Sequence, residues 1–305
     1  MSEEQPSLFK QDFSANYGEA ERMSVLIERL LCNNPSPYTY TGTGTYIVGN
    51  KTDVAVIDPG PLMPAHGQAI LDALNGRRIS HILVTHTHAD HSPLANWLKE
   101  KTGALTYAFG AHGSGRKGGL DTEEVEAGAD KTFLPDVKIK DGEILSGNGW
   151  TLQAIHTPGH TANHICYHLH EENTLFVGDH IMGWATTVIS PPDGDMSDYL
   201  ASLKKVAALN ADRLAPTHGP WVDEPAPFIR GIITHRRMRE GQILKHLENG
   251  PMQIDQLVTV MYKDVDKRLH PAAARSVLAH MISLEENDRI QCEGPPTLEA
   301  KYRLG

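Results

Sequence analysis

The sequence predicts an α/β chain in which a sandwich of sheets carries a metal site along one edge, followed by a small winged-helix-like tail. Three observations carry that expectation. An apolar strand followed by a turn bearing histidine or aspartate recurs four times, which suggests ligands converging on one edge of a sheet sandwich. The turn Thr85-His86-Thr87-His88-Ala89-Asp90-His91 packs four ligand-type side chains into six positions, and such groups repel or go unsatisfied without a shared partner. After residue 220 the pattern changes to three helical stretches and then a short hairpin, the order of a winged helix.

The elements follow in order. Residues 1–22 are polar and weakly patterned, an N-terminal arm. Met23–Leu31, Tyr38–Val48 and Val54–Ile57 read as successive strands between Asn/Pro/Gly turns, the last ending at Asp58-Pro59-Gly60. His66–Leu74 is a short helix with Ile70, Leu71 and Leu74 on one face. Ile79–Val84 is a buried strand running into the histidine-rich turn. Ser92 as N-cap, Pro93 in the first turn and Leu94, Trp97 and Leu98 at i, i+3, i+4 then start a helix. In open α/β folds, ligand-binding loops collect at such strand ends. Ala104–Phe109 is a strand leading to a glycine-rich loop, Gly110–Gly119, which lacks the Gly-Lys-Ser/Thr ending of a phosphate cradle. It reads instead as a mobile rim loop, with Arg116 and Lys117 as anchors for an anionic substrate. Trp150–Ile155, Ile165–Leu169 and Thr174–Val177 are strands, Asp198–Leu209 a helix, and Arg213–Ala215 leads to Pro216-Thr217-His218-Gly219. In the tail, Phe228–Leu247, Ile254–Tyr262 and Pro271–Leu284 are helical, and residues 289–304 form the hairpin.

Composition bounds the class. A chain of 305 residues suggests about two domains, here 23–220 and 221–305. No apolar run of eighteen residues suggests a membrane span, and the acidic start Met1–Pro6 lacks a secretory h-region, so a cytoplasmic protein is expected. Cys32, Cys166 and Cys292 are far apart and form no CxxC pair, as expected of reduced, mostly buried thiols. Of the net charge of −10, all the excess acid lies in residues 1–220, with 16 basic against 26 acidic residues; 221–305 balances at 12 against 12. Bound divalent cations would offset part of that acid, and Arg230, His235, Arg236, Arg237, Arg239, Lys245 and His246 make one basic stretch in the tail.

The spacing of His86, His88, Asp90 and His91, then His156-Thr157-Pro158-Gly159-His160-Thr161, Gly178-Asp179-His180 and His218 resembles the metallo-β-lactamase superfamily across all of its metal motifs. The resemblance implies the αββα sandwich of that superfamily. It also implies one metal ion on His86, His88 and His160, a second on Asp90, His91 and His218, Asp179 bridging them, and Asp58 behind them orienting a ligand histidine. Two such ions would acidify a shared water into a bridging hydroxide nucleophile and polarise the substrate oxygen, with no covalent enzyme intermediate. Zinc is the first choice of metal, with iron or manganese able to occupy a mixed N/O site.

A bridging Asp179 with histidine in place of cysteine resembles the glyoxalase II and phosphodiesterase branches. The whole chain resembles the β-lactamase-like protein 2 type of endoribonuclease, through Thr157–Thr161 with His164 following, Thr186-Thr187-Val188, Asp198-Tyr199-Leu200 and residues 233–240. It departs from that type at Ser190–Asp195 and at His180. The expected activity is metal-dependent cleavage of phosphodiesters in single-stranded RNA; the alternative is hydrolysis of a small thioester or ester of the glyoxalase II kind, with weak β-lactam hydrolysis as a side activity. Asp90 and His180 are the expected catalytic side chains, with Arg116, Lys117 and His164 as substrate contacts.

Overall fold

A computed structural model of the protein describes residues 8–9, 13–117 and 128–305. Most of residues 1–12 of the expected arm, and Gly118-Gly119 of the glycine-rich loop, lie outside the described residues. Two sheets face each other. The first has seven strands in sequential order: β1 (Ala20–Arg22), β2 (Ile27–Leu31), β3 (Gly44–Gly49), β4 (Asp53–Ile57), β5 (Arg78–Leu83), β6 (Leu105–Ala108) and β7 (Val137–Lys138). Pairing is antiparallel from β1 to β4 and parallel from β4 to β7. In the second sheet the order is β12 (Arg213–Pro216), β11 (Thr174–Gly178), β10 (Ile165–Leu169), β9 (Trp150–His156), β8 (Ile144–Gly147), with β11 and β12 parallel and the rest antiparallel.

Period-2 alternation builds the layers. In β4, Ala55 and Ile57 enter the core between the sheets with Trp150, Tyr167 and Phe176. Val54 and Val56 point the other way, against Ile70 and Leu74 of α1 (Pro64–Leu74) and Leu94 and Leu98 of α2 (Leu94–Thr102). On the far side, Leu175, Val177 and Leu214 pack against Tyr199, Leu203 and Val206 of α3 (Met196–Ala208) and Phe228, Ile229 and Ile232 of α4 (Pro225–Leu247). The result is a four-layer αββα sandwich.

The tail adds α5 (Ile254–Met261), α6 (His270–Glu286) and the antiparallel pair β13 (Ile290–Cys292) and β14 (Tyr302–Leu304). Its own core joins Leu257, Val277, Met281, Leu284 and Tyr302 to Ile243 and Leu247. Helix α4 therefore serves two cores, its first half closing the sandwich and its second half nucleating the winged helix. No helix among the described residues is long and apolar enough to cross a membrane. All three cysteines are free, Cys32 and Cys166 buried.

Two local expectations change. The strand expected from Tyr38 starts only at Gly44, because residues 36–43 turn back on themselves: Tyr40 takes a left-handed φ of 56°, and Gly42, at φ 133°, leaves a Cβ only 2.1 Å from Cys32 O. Ser92 does not cap α2, since Pro93 occupies the N-cap position. The Ser92 hydroxyl donates instead to Asp130 Oδ2 at 2.7 Å.

Candidate metal centre

The ligand-type residues come from strand ends on one edge of both sheets. Asp58 follows β4 and the histidine-rich turn follows β5; His160 lies between β9 and β10, Asp179 follows β11 and His218 follows β12. His86 Nε2 and His160 Nε2 lie 2.9 and 3.0 Å from His88 Nδ1. His218 Nε2 is 3.2 Å from Asp90 Oδ2 and 3.3 Å from Asp179 Oδ1, and His91 Nε2 is 3.6 and 3.5 Å from the same two oxygens. The other Asp179 oxygen, Oδ2, lies 3.8 Å from His160 Nε2, so this carboxylate faces both groups. Three sets of ligand atoms, His86/His88/His160, His86/His91/Asp179 and Asp90/His91/His218, each fall within 4.8 Å of one another.

Hydrogen bonds behind the rings fix which nitrogen points inward. His160 Nδ1 donates to Val188 O at 2.7 Å, and His218 Nδ1 to Gly42 O at 3.0 Å. A carbonyl can only accept, so Nε2 of each neutral ring presents a lone pair to the site. His91 Nδ1 donates to Asp58 Oδ2 at 2.9 Å. The Thr85 hydroxyl donates to that same oxygen at 2.7 Å, leaving its lone pair to accept from His86 Nδ1 at 3.1 Å. Thr217 Oγ1 and Thr85 N complete the Asp58 shell at 3.0 and 2.8 Å.

These residues fit a divalent metal pair. His91 Nε2, His218 Nε2 and Asp179 Oδ1 are buried and have no hydrogen-bond partner, a costly state unless a cation sits among them. Tetrahedral ligands about 2.05 Å from a zinc ion lie roughly 3.3 Å apart, close to the separations here. Burial and neighbouring imidazoles hold the His86 pKa well below its usual 6.5. For His91 burial acts downward, yet Asp90, Asp179 and Asp58 outweigh it and raise its pKa well above 6.5. Burial likewise works against ionisation of Asp179, and His218 and His91 overcome it, so its pKa is depressed.

Other expected site residues lie elsewhere. His164 is fully buried, its Nε2 accepting from the backbone N–H of Asp179 and of His180, both at 3.2 Å, and its Nδ1 donating to Thr157 Oγ1 at 2.8 Å. With both nitrogens engaged, its ring holds the backbone of the Asp179 turn. His180 faces the core: its ring lies 5.1 Å from that of Tyr199, and burial pushes its pKa down to about 3. Its ring is fully enclosed among core side chains. Arg116 donates to Asp193 Oδ1 at 3.2 Å, and Lys117 is paired with Asp198, which ties the glycine-rich loop to the 190–198 stretch. Neither cation is an unpaired anchor. Asp90 keeps a partly exposed side chain on the open side.

Sequence reading missed the supports. Thr85 and Thr217 each neighbour a ligand histidine in the chain, a signal that was available. Asn163 was not legible: its amide donates to Thr87 Oγ1, Gly110 O and Ala111 O at 2.9, 3.3 and 3.2 Å, tying the two histidine turns to the rim loop.

The fold and the clustered imidazoles and carboxylates define a metal-dependent hydrolase. Residues 40–218 match the metallo-beta-lactamase superfamily and residues 254–295 the beta-lactamase associated winged helix domain; the chain belongs to that superfamily. Within it, the chain is similar to a beta-lactamase-like protein 2 homolog of Caenorhabditis elegans, 34% identical over 75% of this chain and 73% of the relative. A second homolog of that name, from Drosophila melanogaster, is 32% identical over 88% and 91%. An atrochrysone carboxyl ACP thioesterase of Cryptosporiopsis sp. is 28% identical over 81% and 74%. Among solved structures, a beta-lactamase domain protein from Burkholderia ambifaria superposes with a TM-score of 0.78 over 97% of this chain and 96% of that one, at 20% identity, a likeness of fold.

Proposed function

We propose that the chain is a dinuclear zinc hydrolase that cleaves phosphodiesters of single-stranded RNA. His86, His88 and His160 hold one ion, Asp90, His91 and His218 the other, and Asp179 bridges them; iron or manganese would suit the same N/O donors. The observation that carries the reading is the tautomer arrangement: the Nδ1–H groups of His86, His91, His160 and His218 are all tied to oxygen acceptors, which turns the Nε2 lone pairs of His86 and His160 toward His88 Nδ1 and those of His91 and His218 toward the Asp90 and Asp179 carboxylates. When bound, the ions supply a water acidified toward neutrality and polarise the substrate oxygen. Asp58 keeps His91 in the required tautomer. Asp90, on the open side, is placed to accept a hydrogen bond from the attacking water.

Support for RNA comes from the resemblance to the endoribonuclease type and from α4. Arg230, Arg237 and Lys245 are exposed at spacings of seven and eight, which sets three cations along one helix face. A second reading, thioester hydrolysis, is favoured by the internal pairing of Arg116 and Lys117, which occupies both of these cations with carboxylates, and by the name of the thioesterase relative. Weak β-lactam opening would accompany either. Metal analysis with parallel assays on labelled single-stranded RNA and S-lactoylglutathione separates them. Two zinc ions with RNA cleavage abolished in His88→Ala supports the first reading; thioester turnover with intact RNA makes the second one correct.

A further inference from the structure

We propose that Arg236, on the tail-bearing helix α4, is a positioning residue for the metal centre, so that the winged-helix tail braces the ligand shell from behind. The inference rests on the metal reading above. Arg236 is almost fully buried and donates through Nη2 to Thr187 O. Thr187 is a hub: its hydroxyl donates to Asp179 O at 2.8 Å and lies 3.2 Å from His180 O. The carbonyl of the next residue, Val188, accepts from His160 Nδ1. One short segment thus fixes the backbone of the bridging carboxylate and the tautomer of a ligand histidine, and Arg236 fixes that segment.

A second contact runs through α3. The Arg236 guanidinium lies 5.2 Å from the Tyr199 ring centroid, a cation–π distance. Tyr199 in turn packs against the turn before His160 so tightly that a Cβ on Gly159 would sit 2.4 Å from Tyr199 Cα. Both sides of that turn are therefore backed by the same arginine.

The chemistry of the burial argues for geometry over stability. Arg236 Nε has no hydrogen-bond partner, and among the described residues no carboxylate pairs with the guanidinium. Its neighbours include His235, Arg239 and His280, none of them an anion. Enclosing a charge with so little compensation is unfavourable, and a methionine of similar length would avoid it. What methionine would not supply is a donor for Thr187 O.

The test is zinc affinity by competition with a chromophoric chelator on the full chain, with far-UV circular dichroism and apo melting temperature measured alongside. The variants are Arg236→Met, Thr187→Val, which removes the hydroxyl link to Asp179, and Leu284→Ala, which opens a cavity in the tail core. Arg236→Met and Thr187→Val should each weaken zinc binding by about 10–100-fold, the range for lost support behind a ligand. Leu284→Ala should lower the melting temperature and keep wild-type affinity. Wild-type affinity in both of the first two variants overturns the proposal, as does equal weakening in Leu284→Ala; if Arg236→Met fails to fold, Thr187→Val decides. A wild-type chain that binds no zinc overturns the metal reading and this inference with it, whereas tight wild-type binding with unchanged variants overturns this inference alone.

Discussion

Replacing Asp58 by asparagine isolates the contribution of one charge to the site. Asp58 sits at φ 48°, a left-handed conformation that asparagine tolerates, so the backbone is not the variable. Its Oδ2 accepts from three donors, Thr85 Oγ1, His91 Nδ1 and Thr217 Oγ1, and its Oδ1 from Thr85 N. An asparagine amide must place NH₂ at one of these two positions. At Oδ2 it would confront three donors, so it settles at Oδ1, where the Thr85 N–H and the amide's own N–H groups are left without an acceptor. A buried unsatisfied donor costs about 1–3 kcal/mol. The three remaining bonds also lose charge assistance, which roughly halves their strength. Asp58→Asn should therefore lose about 3–7 kcal/mol of stability.

The larger consequence concerns His91. With a neutral partner its Nδ1–H is less firmly held and its Nε2 is a weaker donor to a cation, so zinc affinity should fall about 10–100-fold. Calorimetric or chelator-competition titration against wild type reads this directly. A folded Asp58→Asn protein with wild-type zinc affinity would refute the claim that Asp58 sets the His91 tautomer.

Other outcomes follow from particular contacts. Asp179→Asn should reduce occupancy of both metal positions together, since its two oxygens face the two groups; elemental analysis showing two full equivalents would remove the bridge from the scheme. Burial pushes the Cys32 and Cys166 thiols up to about 12. Ellman's reagent at pH 8 should thus titrate one thiol per native chain, Cys292, and three in denaturant; three fast native thiols would contradict the packing. Burial, reinforced by Arg236, lowers the His280 pKa from 6.5 to about 3, and burial lowers His235 to about 4. Below pH 6.5 the unfolded chain binds protons that these buried rings refuse, so their contribution is complete above that pH and is lost as pH falls through about 4 for His235 and about 3 for His280. Urea midpoints of metal-free protein should drop less steeply with acid in His280→Gln than in wild type, and parallel slopes would refute the assignment.

The sandwich was legible because its rules are local. Alternation in Val54–Ile57 tells inside from outside without reference to the partner sheet, and the His/Asp turns announce themselves by density. What was not legible depends on distant pairing. Ser92 has the chemistry of a helix cap, yet Asp130, 38 residues on, takes its hydroxyl. His164 and His180 lie in a histidine-rich neighbourhood that suggested chemistry for both. Their ring directions follow from backbone N–H groups and from Tyr199 on α3, which no spacing encodes. Arg116 and Lys117 have the charge of substrate anchors, but Asp193 and Asp198 neutralise them from about eighty residues away. Arg236 was visible only as one cation in a basic stretch, and the exposed and buried faces of α4 separate it from Arg230 and Arg237.

The placement of the ligands has a mechanical consequence. His86, His88, Asp90 and His91 are carried by the first sheet, whereas His160, Asp179 and His218 are carried by the second. On the proposed ligand sets each ion draws on both sheets, one through His160 and the other through His218, with Asp179 joining them. Ions held by those sets would staple the sandwich across its open edge, and the free energy of binding would become folding free energy. At that edge Asp90 lies beside His218 and Asp179 beside His91, contacts that run between the two sheets. An edge already organised by those pairs binds cations without refolding. For that reason the metal-dependent gain in melting temperature should come mainly from mass action at the site, rising with free zinc concentration and not with any change in secondary structure.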